Sequence, residues 1–165
     1  MSTPVHTTEN GERSAEVRLA AAGIELPPAV TPFGAYLTAV RSGNLLFLTG
    51  MLPTRGHEAL YTGSIGRELD AEQGGRAARA AALNALAVAR QHLGSLDRIS
   101  RVVRLGVYLA TAGEPVNQPK VADGASELFR DILGEDKLSA RLVIGVASLP
   151  LGVPVELEVI FEVVA

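Results

Sequence analysis

Val155-Glu156-Leu157-Glu158-Val159-Ile160-Phe161-Glu162-Val163 reads as a strand by its period. Val155, Leu157, Val159, Phe161 and Val163 fall on one parity, and Glu156, Glu158 and Glu162 on the other. The apolar face must be buried; the acidic face must meet water, a partner chain or a ligand. Upstream, Ala140-Arg141-Leu142-Val143-Ile144-Gly145-Val146 is a second β-prone run carrying an arginine near its start. The intervening Ser148-Leu149-Pro150-Leu151-Gly152-Val153-Pro154 is rich in turn residues. So short a connector leads to the expectation that the two strands pair antiparallel or lie close together, placing Arg141 in the neighbourhood of the glutamates.

Moving toward the N-terminus, Gln118 to Leu133 carries Val121, Ala125, Leu128, Phe129 and Ile132 at three- and four-residue spacing, and Gly134 closes it as a helix. Ile99 to Ala110 is a strand interrupted by Arg101 and Arg104, which read as rim or helix-facing charges without chemistry. Before it, an alanine-rich helix starts near Asp70, with Gln73 at the reciprocal capping position, and stops at Gly94. Tyr36 to Val40 and Asn44 to Thr49 read as strands about an Arg41-Ser42-Gly43 turn, and a loop with Gly56, Gly63 and Gly66 follows. Residues 1–11 read as a flexible N-terminus, and 12–165 as a single domain that begins with a short extra helix, Glu12 to Ala22, capped by Asn10.

The order α-β-β-α-β-α-β-β implies an α+β fold in which a mixed β-sheet carries two long helices on one face. The opposite face then needs another cover, and a second copy of the chain is the economical one.

Composition narrows the function. A net charge of −3 and 4% aromatic residues argue against a nucleic-acid partner, which calls for clustered Lys/Arg and exposed aromatic platforms. The chain contains no cysteine, which removes thiol chemistry and fits a reducing cytoplasm. It has no apolar run near the roughly 20 residues of a membrane span and no basic-then-apolar leader, so a soluble cytoplasmic protein is expected. His6, His57 and His92 lack any paired-ligand spacing, and surface positions without metal are expected for them. Gly63-Ser64-Ile65-Gly66 matches neither a phosphate loop nor a nucleophile elbow and reads as a turn.

Four short motifs stand in order: Gly34-Ala35-Tyr36, Thr49-Gly50-Met51-Leu52-Pro53, Ala140-Arg141 with Leu149-Pro150, and Glu156-Leu157-Glu158. On these residues the chain resembles the RidA/YjgF family, also called the L-PSP endoribonuclease family, from about Tyr36 to the C-terminus. The N-terminal helix, Leu60-Tyr61-Thr62-Gly63 and Asp123-Gly124-Ala125-Ser126 look like a divergent, longer branch.

The resemblance implies a chorismate-mutase-like fold and a homotrimer with inter-subunit sites. It implies a hydrolase acting on 2-imino or 2-enamino acids, with no metal or cofactor. Arg141 would clamp the substrate carboxylate and Glu156 would orient the attacking water. Tyr36, with them among the catalytic residues, would line or cap the cleft, the Val143 amide would donate to the carboxylate, the Gly50 backbone would accept from the substrate nitrogen, and Thr49 would join the substrate-binding residues. The residue types suit the chemistry, since a guanidinium gives two parallel charge-assisted bonds and a carboxylate can hold a water and move its proton. Three departures make the pocket more apolar than the family pattern: Ser139 for proline, Leu142 for Ser/Thr and Val143 for cysteine. An asparagine of the deaminases has no clear match on the second long helix, where Asp123 or Gly124 stands nearest. A non-catalytic trimer that binds a small carboxylate or a protein is the alternative, and the endoribonuclease activity of the family name fits an acidic chain poorly.

Overall fold

A computed structural model of the chain describes residues 14–113 and 116–165. Three helices, α1 (Ala15–Ala21), α2 (Ala71–Leu93) and α3 (Gln118–Leu133), accompany seven strands. The strands are β1 (Ala39–Ser42), β2 (Leu45–Leu48), β3 (Thr54–Arg55), β4 (Glu58–Ala59), β5 (Ile99–Ala110), β6 (Ala140–Val146) and β7 (Val155–Val163). Five of them form a mixed sheet in the order β1-β2-β7-β5-β6, and β3 and β4 form a separate hairpin.

The long elements follow from their caps and periods. Asp70 and Gln73 close a reciprocal capping box on α2, and Gly94 ends it in the left-handed conformation at φ 82°. Asn117 caps α3, whose apolar stripe is buried, and its C-cap is Gly134. In β7 burial alternates along all nine residues, so Val155, Leu157, Val159, Phe161 and Val163 face the helices. The helices meet closely because their contact residues are small: a β-carbon at Gly124 would overlap the Gly75 carbonyl oxygen. Phe129 of α3 packs edge-on against Phe161 of the sheet, with ring centroids 5.9 Å apart.

The expected adjacency of the two C-terminal strands is overturned. β5 lies between them, parallel to β6 and antiparallel to β7. The reason is α3: a strand, a 16-residue helix and a strand make a crossover unit, which lays β6 parallel to β5. The β6–β7 connector therefore has to span an intervening strand rather than turn a hairpin.

Smaller shifts have local causes. The first strand starts at Ala39 rather than Tyr36, because Tyr36 turns back so that its hydroxyl accepts the Phe33 N–H at 2.9 Å. The loop with Gly56 holds the β3–β4 hairpin, too short for a sequence period to reveal. For α1 the N-cap is Ser14; Asn10 and Glu12 lie outside the described residues. No helix among the described residues is long and apolar enough to cross a membrane.

Candidate functional site

One end of β7 carries the first half of the site. Glu156 stands across from Tyr108 of β5, on the sheet face away from the helices. Beside it, Met51 and Leu157 exchange backbone hydrogen bonds of 2.8 and 2.9 Å, which bring the segment after β2 onto β7. Gly50 thereby lies against the Glu156 side chain so closely that a β-carbon there would overlap Oε1 and sit 3.0 Å from Cδ. Only a glycine permits this approach, and its φ is not positive, so space rather than backbone conformation is the reason.

Glu156, Gly50, Thr49 and Tyr36 all line one cavity of about 340 Å³. Val30, Phe33, Leu52 and Leu151 form its apolar walls, and Thr38 and Thr54 add hydroxyl groups. Burial alone pushes the Glu156 carboxyl above the usual carboxylate range, and among the described residues no hydrogen-bonding or charged partner offsets that cost. The other glutamates of the strand differ. Glu158 accepts from Tyr108 Oη at 3.0 Å and pairs with Arg104 at 3.3 Å, while Glu162 lies 3.7 Å from Arg101 and accepts from Asn44 at 3.2 Å. Arg101 and Arg104 are therefore not helix-facing: they balance two of the three carboxylates on the open face. The hydrogen bond to Glu158 in turn pushes the Tyr108 hydroxyl up.

The second half lies elsewhere. Arg141 of β6 sits in register with Leu105 on the helix-facing side of the sheet, and Val143 is level with Val107. Arg141 Nη1 donates to Asp123 Oδ1 at 2.7 Å and to Ser126 Oγ at 3.2 Å, both one turn apart on α3. Nε and Nη2 make no hydrogen bond among the described residues, and 27% of the side chain remains exposed. Arg141 and Glu156 are two strands and about three residues apart, roughly 14 Å at ordinary sheet spacings, and leave the sheet on opposite faces. The neighbourhood expected for Arg141 is thus corrected: its carboxylate neighbour is Asp123, and the glutamates of β7 have other partners or none.

Asn84 belongs to none of the sequence motifs. This side chain, buried in the middle of α2, donates from Nδ2 to the carbonyls of Leu52 and Thr54, both at 2.9 Å, and so ties the cavity floor to the helix layer. A lone amide among Ala81, Ala82 and Ala85 on the buried stripe was the available signal. The strap before β1 is pinned as well. Phe33 stacks on His57 with centroids 4.1 Å apart, and His57 Nε2 lies 3.0 Å from Thr31 Oγ1. His57 and His92 are exposed, and His92 Nδ1 meets the Val88 carbonyl; His6 lies outside the described residues.

With this sheet, helix layer and site in place, relatives can be compared. The chain belongs to the family described as YjgF/chorismate mutase-like, putative endoribonuclease, whose profile matches residues 16–162. It is 39% identical over 141 residues to Protein TCP17 of Trypanosoma cruzi, covering 85% of this chain and 88% of that protein. A solved protein of unknown function from Agrobacterium tumefaciens is 38% identical, with a TM-score of 0.83 over 91% of this chain and 92% of that one. RidA from an Antarctic Psychrobacter is 28% identical, with a TM-score of 0.60 over 82% of this chain and 94% of that one.

Proposed function

We propose that the protein is a deaminase of small 2-imino or 2-enamino acids, hydrolysing the C=N bond to a 2-keto acid and ammonia. The observation that carries this reading is Glu156, an unpaired, partly buried carboxylate whose proton affinity is raised by an apolar cavity. Such a group suits acid–base work near neutral pH better than an exposed glutamate does. In the reaction the carboxylate takes a proton from water as its oxygen bonds to the imine carbon. The imine reacts in its N-protonated form, so addition leaves a neutral amino group; Glu156 returns its proton to that nitrogen as the C–N bond breaks, and the carbinolamine hydroxyl gives its proton to the freed carboxylate as the carbonyl forms, leaving the keto acid and ammonia. General acid–base assistance of this kind supplies about 10²–10⁴-fold, enough for imines that already hydrolyse in water. The likeness to a RidA supports the assignment.

Arg141 would grip the substrate carboxylate through the Nε–Nη2 edge that Asp123 leaves open. Within one chain that edge and Glu156 face opposite ways, so the reading includes assembly with further copies, as a homotrimer, each site joining the cavity of one chain to the clamp of another. The open sheet face supports such a contact, with Val40 and Phe47 exposed on β1 and β2 at one end of the sheet and Leu142 and Ile144 exposed on β6 at the other, where the outer edge of β6 has no partner strand among the described residues.

A second reading is favoured by Asp123: a carboxylate already on Arg141 suits a binder of weak affinity without catalysis. The test generates imines in place with an amino-acid oxidase and follows keto-acid release, alongside size measurement by light scattering. Faster release with the wild type, lost in Arg141→Ala, is the expected result. Release at the background rate supports the binder, and RNA cleavage lost in the same variant supports the nuclease instead. A monomer at working concentration overturns the shared site.

A further inference from the structure

We propose that Leu151 is a specificity-determining residue which, with Phe33, makes the cavity select ligands bearing a bulky apolar side chain. This rests on the reading of the cavity as an imine-acid site. Leu151 has φ 58° and ψ 11°, a left-handed conformation that costs a side-chain-bearing residue about 1–2 kcal/mol. It is the one non-glycine residue with positive φ among the described residues. The turn itself does not need a leucine there. Gly152 follows at φ 68° with open space around it, and asparagine or glycine would serve Leu151's position with less strain. Nor does core packing repay the strain, since Leu151 is 47% exposed. What the side chain does contribute is a wall of the 340 Å³ cavity.

Phe33 contributes another wall by an independent device. It is 46% exposed, yet its ring is fixed by stacking on His57, which is itself held at Thr31. Val30 and Leu52 extend the apolar surface. Glu156 and Tyr36 are the titratable groups of the lining, and among the described residues this chain places no cation beside the Leu151 and Phe33 walls. An acidic ligand side chain would meet the Glu156 carboxylate without compensation, and a small one would leave the walls uncovered. A branched aliphatic or aromatic side chain fits the space and its chemistry, as in the imines of leucine or phenylalanine.

The experiment uses 2-oxo acids as unreactive probes of the full-length protein, measured by calorimetry, with thermal unfolding in parallel. The wild type should bind 4-methyl-2-oxopentanoate and phenylpyruvate about tenfold or more tighter than pyruvate, the scale set by a few methylene groups in a pocket. In Leu151→Asn and Leu151→Gly that ratio should fall several-fold, while the melting temperature holds or rises because the backbone strain is relieved. A lower melting temperature with an unchanged ratio overturns the role of Leu151. Equal affinities for large and small acids, in a protein that still accelerates imine hydrolysis, overturn the selectivity and leave the deaminase reading standing. Selective binding without any acceleration does the reverse, and no binding of any 2-oxo acid overturns both.

Discussion

Replacing Gly50 by alanine inserts one carbon where the structure has no room for it. The new Cβ would overlap Glu156 Oε1 and lie 3.0 Å from Cδ and 3.4 Å from Cγ, so the carboxylate must swing aside. Because φ at Gly50 is not positive, alanine brings no backbone strain, and it gains about 0.4–1 kcal/mol by restricting the unfolded chain. Against this, overpacking costs about 1–3 kcal/mol. The net effect runs from about 0 to a loss of about 2.6 kcal/mol, or a fall of up to roughly 10 °C in melting temperature for a chain of this size. Activity should suffer more, since a misplacement of about 1 Å in a reacting group costs on the order of 10²-fold.

The sign of the stability effect makes the test decisive. In a Glu156→Ala background the obstructing carboxylate is gone, only the entropic gain remains, and Gly50→Ala should become stabilising. Thermal unfolding of the wild type, both single variants and the double variant gives this coupling directly. An identical loss in both backgrounds would refute the claim that Gly50 exists to admit the Glu156 side chain.

Three further outcomes follow from the same contacts. Glu156 holds its proton more tightly folded than unfolded, so wild-type stability declines as pH rises from about 4.3 through the raised folded value, and the penalty then persists. Glu156→Gln should therefore match the wild type in acid and exceed it in melting temperature at neutral pH; a difference that ignores pH contradicts this. Asn84→Ala removes its bond to the Thr54 carbonyl and should cost about 1–3 kcal/mol, whereas the Leu52 carbonyl keeps the Thr54 N–H at 2.9 Å; KM should rise as the cavity floor loosens, and stability equal to the wild type would contradict this role of Asn84. Asp123→Asn keeps an acceptor for Arg141 Nη1 and deletes the charge. At roughly 7 Å from a bound carboxylate that charge is worth between about 0.6 and 2.4 kcal/mol, and its exposure favours the lower end, so 2-oxo acids should bind about three- to tenfold tighter; weaker binding would mean that Asp123 does more than compete.

Strong local signals made most of the fold legible. The Asp70–Gln73 box, Gly94, Gly134 and the two-residue period of β7 each fix an element by one dominant interaction, and those elements stand where the sequence puts them. Strand order was not legible in the same way. The short β6–β7 connector suggested a hairpin, but β5 had already claimed β7 as a partner through nine registered residue pairs, and no local feature of either strand records that competition. The site divided along the same line. Tyr36, Thr49, Gly50 and Glu156 converge because the chain near Met51 bonds across to Leu157. Arg141 parted from them because α3 turned its strand's odd positions toward Asp123. Asn84, Phe33 and Leu151 left faint traces only, since an amide in a helix, a phenylalanine in a strap and a leucine in a turn each have ordinary structural uses.

The central claim is that Glu156 performs acid–base work from an apolar cavity. Initial rates of keto-acid release from imines formed in place, compared between the wild type and Glu156→Gln at saturating protein, address it most directly. The account predicts a loss of about 10²-fold or more, within the range general acid–base groups supply, in a variant that is folded and at least as stable. A variant that hydrolyses imines as fast as the wild type would contradict it.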